Sequence, residues 1–498
     1  MNEVKFIGWH GLVVLVLYAV FIMATCIYLS ARQTRKDSLK SFYIGGGGLG
    51  AMLLFFTLYA TQYSGNTVVG YAPAAYRTGY AYFQSIPFFI MVIVGYLLFA
   101  PRLHVLAKKH NFVTPSDWLQ KRFESKAVTL LGTILMAYGL SNYLLEQLVA
   151  MGHAISGLTA GFIPYFYGVI FLVIIMFIYE WLGGMKAVAI ADTINGIALM
   201  IGVVSLMFLS LRYFGSLGEA AQFIVNEAPK KIGVPALETS INWISIYILV
   251  GVGAAVYPHA IQRIYAAKSE KVLKKSLSRM AWMPFITSGM VFIIGIIGIK
   301  AFPGLDKAQS EKLIGMVANV IASKSALNYW MMMILYTGII GAIMSTTDSV
   351  ILALSSLISN DIYGRFVKPG ASEKDKVLWG KIVGICIVLL LLIIAWKPPA
   401  TLYEIFVLKF EILIQVAPAF LLGLYWKKLN KNGVLLGMII GAVVASGMTF
   451  AGVKTFHGVH GGVIGLAINM AICILISLAV PSSKDEEKKA EEIISLNA

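Results

Sequence analysis

Thirteen apolar runs, each long enough to cross a lipid bilayer, take up almost the whole of this chain: 7–31, 47–75, 80–102, 127–152, 161–183, 187–213, 239–266, 279–301, 328–359, 377–396, 400–426, 432–453 and 461–481. Hydrocarbon offers the backbone no water, so a crossing segment must satisfy its own N–H and C=O groups as a helix or join a closed barrel. Continuous runs of ~20 residues fit helices, whereas barrel strands alternate over about ten. The expectation is an all-α polytopic membrane protein with about 13 transmembrane helices. With 58% hydrophobic and 13% charged residues, and a mean hydropathy of +0.80, the connections leave no room for a soluble catalytic domain. Any function must sit inside the helix bundle.

Charge supports the count. Cytoplasmic loops collect Lys and Arg, and the sides alternate with every span. The basic clusters follow spans 1, 3, 7, 9 and 11: Arg32/Arg35/Lys36/Lys40, Lys108/Lys109/Lys121/Arg122/Lys126, Lys268/Lys271/Lys274/Lys275/Arg279, Arg365/Lys368/Lys374/Lys376/Lys381 and Lys427/Lys428/Lys431. All five are odd-numbered, which puts the N-terminus outside and the tail "SSKDEEKKAEE" in the cytoplasm. The first run, Leu12 to Leu29, exceeds a signal-peptide core and is followed rather than preceded by its basic cluster, so it reads as a retained span. A net charge of +16 confined to loops is a topology signal, and no nucleic-acid partner is expected. The cysteines Cys26, Cys386 and Cys473 lie far apart in apolar runs and read as small buried hydrophobes.

Two spans carry helix-breaking residues at mid-membrane. Span 2 contains "LYATQYSGNTVVGYAP", with Gly65, Gly70 and Pro73; span 7 contains "LVGVGAAVYPHAIQR", with Gly251, Gly253 and Pro258. Either could be a plain kink. Non-helical backbone at membrane depth survives only where protein or a cavity surrounds it, and two breaks five spans apart are the pattern of a secondary transporter built from inverted halves, with its site between them.

An ionisable residue within a span costs ~2.5–3.5 kcal/mol on insertion scales. "GAIMSTTDSVILALSSLISNDIY" puts Ser345, Asp348, Ser349 and Ser356 on one helical stripe, with Thr346 at its edge. Hard oxygen donors with one negative charge suit a small hard cation; the plainer alternative is hydroxyls bonding back to their own helix, with Asp348 paired to a base. Asp192 has Lys186 nearby as an ion-pair partner. Glu146 and Gln147 sit deep in span 4. Lys409, the one fixed cation placed well inside an apolar span, has Glu411 and Glu404 within reach for a local ion pair. Failing full neutralisation it would attract an anionic substrate. Arg77, at a helix end, is expected to snorkel to water. No zinc-protease helix, nucleophile elbow or phosphate loop is present, "HGVH" (His457, His460) reads as a short exposed loop, and "IGGGGLGAM" reads as a membrane-entry linker, so no catalytic residue is expected and the chain is not read as an enzyme.

The stretches "YIGGGGLGAMLLFFTLYATQYSGNTVVGYAPAAYRTGY", "GGMKAVAIADTINGIALM", "YPHAIQRIYAAKSEK" and "GAIMSTTDSVILALSSLISNDIY", in this order and spacing, resemble the sodium:solute symporters, which include bacterial proline, sialic acid, sugar and pantothenate permeases. The resemblance implies a LeuT-type fold with two inverted five-helix repeats: 1–46, an extra first helix and cytoplasmic linker; 47–238, the first repeat; 239–430, the second; 431–481, two additional helices; 482–498, a cytoplasmic tail. It also implies a sodium site made by the backbone carbonyls of Ala60, Tyr63 and Ala342 with the hydroxyls of Ser345 and Thr346. A second sodium site, found in some members, maps to Asp192, Ser345, Asp348 and Ser349, with Asp348 standing where those members carry a hydroxyl.

Proline permeases carry an acid in the unwound part of span 2 and aromatic residues before the Pro-His of span 7, where this chain has Gln62, Val250 and Ala254; proline is therefore disfavoured. "IIAWKPPATLYEIF" and "PAFLLGLYWKKLNKNGVLLGMIIG" look most like the pantothenate and short-chain monocarboxylate branch. The expected function is sodium-driven uptake of a small organic solute, a monocarboxylate such as pantothenate or a short-chain acid, across the cell (inner) membrane by alternating access. The alternatives are an amino acid or sugar carrier of this fold, or a non-transporting sensor. Gln62, Gly65, Asn66, Gln147, Ala254, Pro258 and Lys409 are the candidate substrate residues, and Na+, the solute and the lipid bilayer the expected partners.

Overall fold

The computed structural model describes residues 9–32, 39–159, 161–182, 184–233, 235–398, 400–480, 482 and 484–495. Arg35 and Lys36 of the first basic cluster, and the side chain of Cys26, lie outside the described residues. The main helices in chain order are α1 (Trp9–Arg32), α2 (Ala51–Gln62), α3 (Gly65–Val69), α4 (Tyr71–Thr78), α5 (Ser85–His110), α6 (Pro115–Phe123), α7 (Lys126–Leu158), α8 (Tyr165–Leu182) and α9 (Met185–Phe214). They continue with α10 (Leu237–Ala255), α11 (Pro258–Ala266), α12 (Glu270–Met280), α13 (Met290–Ala301), α14 (Leu313–Ala322), α15 (Ala326–Ser356), α16 (Glu373–Trp396), α17 (Leu402–Leu413), α18 (Lys431–Phe450) and α19 (Gly461–Ala479). Among the described residues, the named strands form one small hairpin, Thr455–Phe456 against Val459–His460, between α18 and α19.

Nine helices among the described residues are long and apolar enough to cross a membrane, and shorter apolar helices cover His10–Thr25, Ala51–Gln62, Tyr165–Ile175 and Leu313–Ala322. The last lies in the 302–327 connection that hydropathy left as a loop. It packs into the bundle, where a Cβ on Gly315 would run into the backbone of Gly157. Arg77 does not snorkel: it bonds Glu311 at 2.7 Å and Ser310 at 2.9 Å beside α14.

Small residues decide which helices meet, because lipid removes the hydrophobic drive for helix association and leaves close van der Waals approach to do it. Helices α9 and α15 cross on Gly202, Gly338 and Gly341, where an added Cβ would strike Leu335, Leu199 and Asn195. Gly95 and Gly251 do the same for α5 and α10, and Gly441 and Gly465 for α18 and α19. The outcome is a strong gradient of burial. The most apolar window of α15 is 100% buried, against 22% for α16 and 33% for α18 and α19. The hydroxyl-rich helix is thus central, while α16 presents Leu390 and Ile393 outward, as a lipid-facing helix should. Cys386, on the same helix, is exposed rather than buried; Cys473 is buried.

Both predicted breaks are present. Helix α2 stops at Gln62, Tyr63 and Ser64 leave helical geometry (φ −113, ψ 80 and φ −76, ψ 173), and α3 starts at Gly65. Gly65 is required there, since a Cβ would overlap the Ile343 side chain of α15. Helix α10 stops at Ala255 and α11 restarts at Pro258, whose missing N–H suits the first helical position. The glycine-rich linker is pinned to the second break's far end by the backbone bonds Leu49 N–H to Ala266 O and Lys268 N–H to Leu49 O, both 2.9 Å.

Candidate functional site

The end of α2 meets the middle of α15. The Thr346 hydroxyl donates to the Ala60 carbonyl at 3.0 Å, joining two of the five expected sodium ligands across 286 residues of chain. Tyr63 is the residue at which α2 unwinds, its ring packed on Tyr59 and Phe89 with centroids 5.0 and 4.8 Å away. Ala342 and Ser345 lie on the buried face of α15. The neighbouring Gly341 carbonyl accepts from Asn195 at 3.0 Å, and Asn195 in turn accepts from Tyr18 of α1 at 2.6 Å. Carbonyls left over by an unwound helix, together with side-chain hydroxyls, are oxygen donors of the kind that hold Na+.

Next to this cluster is a charge pair that sequence reading did not find. Asp192 of α9 accepts from Thr57 and Ser345 and pairs with Arg263 of α11 at 3.3 Å, both side chains fully buried. The guanidinium also donates through Nε to the Thr57 carbonyl (3.1 Å) and hydroxyl (2.8 Å), through Nη1 to the His259 carbonyl (2.9 Å), and through Nη2 to Ser349. Ser349 itself donates to the Ser345 carbonyl at 2.9 Å. The Asp192–Lys186 pair expected from proximity is therefore replaced by Asp192–Arg263. The arginine's fork supplies the directed donors that a buried carboxylate requires. Asp192, Ser345 and Ser349, three of the four residues expected around a second sodium, are gathered around a cation that the chain already provides. Asp348 is buried on the same helix. The signal was available: Arg263 sits in the apolar stretch after Pro258, so Lys409 is not alone as a fixed cation within a span.

Between the two breaks lies a cavity lined by Thr61, Gln62, Ser64, Thr67 and Tyr71 from the first, Val250, Ala254 and Tyr257 from the second, and Phe89, Tyr143, Glu146, Phe406, Lys409 and Phe410. It has room for about one water molecule. Lys409 pairs with Glu146 of α7, each about 1% exposed, and not with Glu411 or Glu404. Glu404 instead bonds Lys454 at 2.8 Å and Lys307 at 3.2 Å, and Glu411 bonds His460 at 2.9 Å, so His460 is buried rather than in an exposed loop. The Lys409 ammonium lies 3.6 Å from the Tyr143 ring centroid, 4.6 Å from Phe406, 5.2 Å from Phe410 and 5.5 Å from Tyr257. Glu146 also accepts from the Asn66 amide, which ties the pair to the first turn of α3.

Of the expected substrate residues, Gln62, Ala254 and Lys409 line this cavity. Gln62 donates to Tyr96, which donates to the Ala254 carbonyl at 3.2 Å, so one tyrosine bridges the two breaks. Asn66 reaches the cavity through Glu146, while Gly65 and Pro258 shape the breaks themselves. Among the described residues the Asn66 Oδ1, the Tyr257 hydroxyl and both amide atoms of Gln147 are buried without a hydrogen-bond partner. Each such group costs ~1–3 kcal/mol until something bonds it.

The sequence model of the sodium:solute symporter family matches residues 42–441. The sodium/pantothenate symporter of Escherichia coli (strain K12) is 25% identical over 437 residues, 86% of this chain and 88% of that protein. The osmoregulated proline transporter OpuE of Bacillus subtilis (strain 168) is 25% identical over 89% of this chain and 90% of its own length. Among solved structures, a Na+-coupled sialic acid symporter superposes with a TM-score of 0.79 at 18% identity, covering 96% of this chain and 99% of that one. A nucleobase-cation-symport-1 family transporter, Mhp1, superposes with a TM-score of 0.59 at 13% identity, covering 92% and 99%.

Proposed function

The chain belongs to the sodium:solute symporter family, and on that premise we propose that it couples one sodium ion to the uptake of a small monocarboxylate across the cell membrane. It is a multi-pass membrane transporter of the LeuT-type fold, and not an enzyme. Sodium binds at Ala60, Tyr63, Ala342, Ser345 and Thr346, where the unwinding of α2 frees carbonyls toward the hydroxyls of α15. The solute binds in the cavity between the breaks, with its carboxylate on Lys409 and its carbon chain against Tyr71, Phe89 and Phe406.

The observation that carries this reading is the Lys409 ammonium, fully buried in an aromatic cage that opens on that cavity. A desolvated cation must be met by an anion, which here is Glu146 and which a solute carboxylate would replace. Relatives named for pantothenate and for proline are equally similar, at 25% identity, so the choice rests on this chain's own side chains. Glu146 beside Lys409 favours a second reading, a zwitterionic amino acid whose ammonium would face Glu146.

Uptake of labelled pantothenate, propionate and proline into proteoliposomes, with and without a sodium gradient, separates the two. The expected result is sodium-driven monocarboxylate uptake whose apparent affinity collapses in Lys409→Ala. Sodium-independent uptake, or affinity indifferent to Lys409→Ala, refutes the proposal.

A further inference from the structure

We infer that Glu146 is a built-in surrogate for the substrate's carboxylate, which the solute must displace from Lys409 in order to bind. The inference rests on the monocarboxylate reading above and goes on to say how that site is occupied and coupled. The cavity has room for about one water molecule, less than any organic acid needs. The volume an incoming carboxylate would take beside the ammonium is held by the Glu146 carboxylate. A solute anion can therefore reach Lys409 only by taking that place. Glu146 has a second partner ready, since it already accepts from the Asn66 amide, and the unpartnered Tyr257 hydroxyl, on a residue that lines the cavity, remains for the solute's other polar atoms.

Charge counting then gives the coupling. Among the described residues, two ion pairs beside the breaks are fully buried, Lys409 with Glu146 and Asp192 with Arg263, and each is internally neutral. Adding a solute anion alone leaves one uncompensated negative charge in a medium of low dielectric. Adding sodium alone leaves one positive charge. Adding both adds no net charge, so each ligand favours the other through Coulomb interaction, which is the reciprocity that symport requires. If Asp192 were open to a second sodium this balance would fail, but Arg263 fills that role. Carriers that hold a neutral site in this way move sodium and a monoanion together without moving net charge.

Glu146→Gln tests the inference, because it removes the surrogate's charge and leaves Lys409 unbalanced while keeping the side chain's size and one of its two acceptor oxygens. Binding of labelled propionate and pantothenate is measured in detergent, with sodium or with choline, alongside proteoliposome uptake. In the wild type, sodium should strengthen anion binding within the roughly 5–150-fold range of coupled ligands. In Glu146→Gln the anion should bind more tightly, in choline as well as in sodium, because no carboxylate has to leave Lys409, while the sodium stimulation, set by the attraction between sodium and anion, should persist. A Glu146→Gln protein that binds the anion no more tightly than the wild type overturns this inference and leaves the transport reading standing. A wild-type protein that takes up proline and no monocarboxylate overturns both. If Glu146→Gln fails to elute as a folded monodisperse species, Glu146→Asp decides: its shorter side chain loosens the hold on Lys409, so anion binding should tighten while sodium dependence persists. Unchanged or weaker anion binding in Glu146→Asp overturns the inference.

Discussion

Two fully buried cations, Lys409 and Arg263, hold the chemistry of this protein, and each is tolerable only because a carboxylate from another helix meets it. Removing one partner of a buried pair strands the other charge, at a cost of ~3–5 kcal/mol. Arg263→Met should therefore lower the melting temperature of the purified protein steeply, and Arg263→Met with Asp192→Asn should recover part of the loss, as coupled sites do. Because Arg263 already occupies Asp192, sodium stimulation of uptake should follow a Hill coefficient of one in the wild type; a value near two would mean that a second ion binds. Thr346→Ala removes one hydroxyl oxygen ligand and should raise the sodium concentration for half-maximal uptake by about two- to thirteenfold, the worth of one net hydrogen bond or ligand of ~0.5–1.5 kcal/mol.

Helices here are positioned by glycines that let backbones touch, and broken where carbonyls are needed. Gly338, against Leu199 of α9, has no space for a side chain, whereas a Cβ on Gly447 of α18 would meet nothing within 4 Å. Gly338→Leu should destabilise by ~1–3 kcal/mol through overpacking and abolish uptake by displacing α15, and Gly447→Leu should do neither; thermal melting and uptake on the same preparations check both. The breaks of α2/α3 and α10/α11 were readable from Gly65, Gly70 and Pro258, because glycine and proline act locally on the backbone. Helix α14 was not readable, since its ten residues are too few for a span and it is stabilised by tertiary contact with α7 rather than by its own apolar length.

For the molecule as a whole, sodium bound only to the folded protein stabilises it by mass action, about 2.7 kcal/mol at a hundred times Kd. The melting temperature should rise with sodium chloride and stay flat with choline chloride, and Thr346→Ala should shift that rise to higher concentration. The alternation of basic loops predicts a cytoplasmic tail: Ser495→Cys in a cysteine-free background should be labelled by an impermeant reagent only from the cytoplasmic side, and labelling from the outside would reverse the topology.

Membrane class, the places of the breaks and the hydroxyl stripe of α15 could be read along the chain, because hydrocarbon demands long apolar helices and because glycine, proline and serine act within a few residues of themselves. The family likeness of four ordered motifs agreed with that reading. Partnership could not be read this way. Sequence proximity pointed Lys409 to Glu411 and Asp192 to Lys186, yet Lys409 meets Glu146, 263 residues away, and Asp192 meets Arg263, 71 residues away. On a helix, neighbours three or four residues apart share a face, but a buried charge must be met from whatever faces it, and only the packing of helix against helix determines that. The expected ligand residues were thus named along the chain. Whether an acid there would wait for a second sodium or already hold an arginine depended on how α9, α11 and α15 came together.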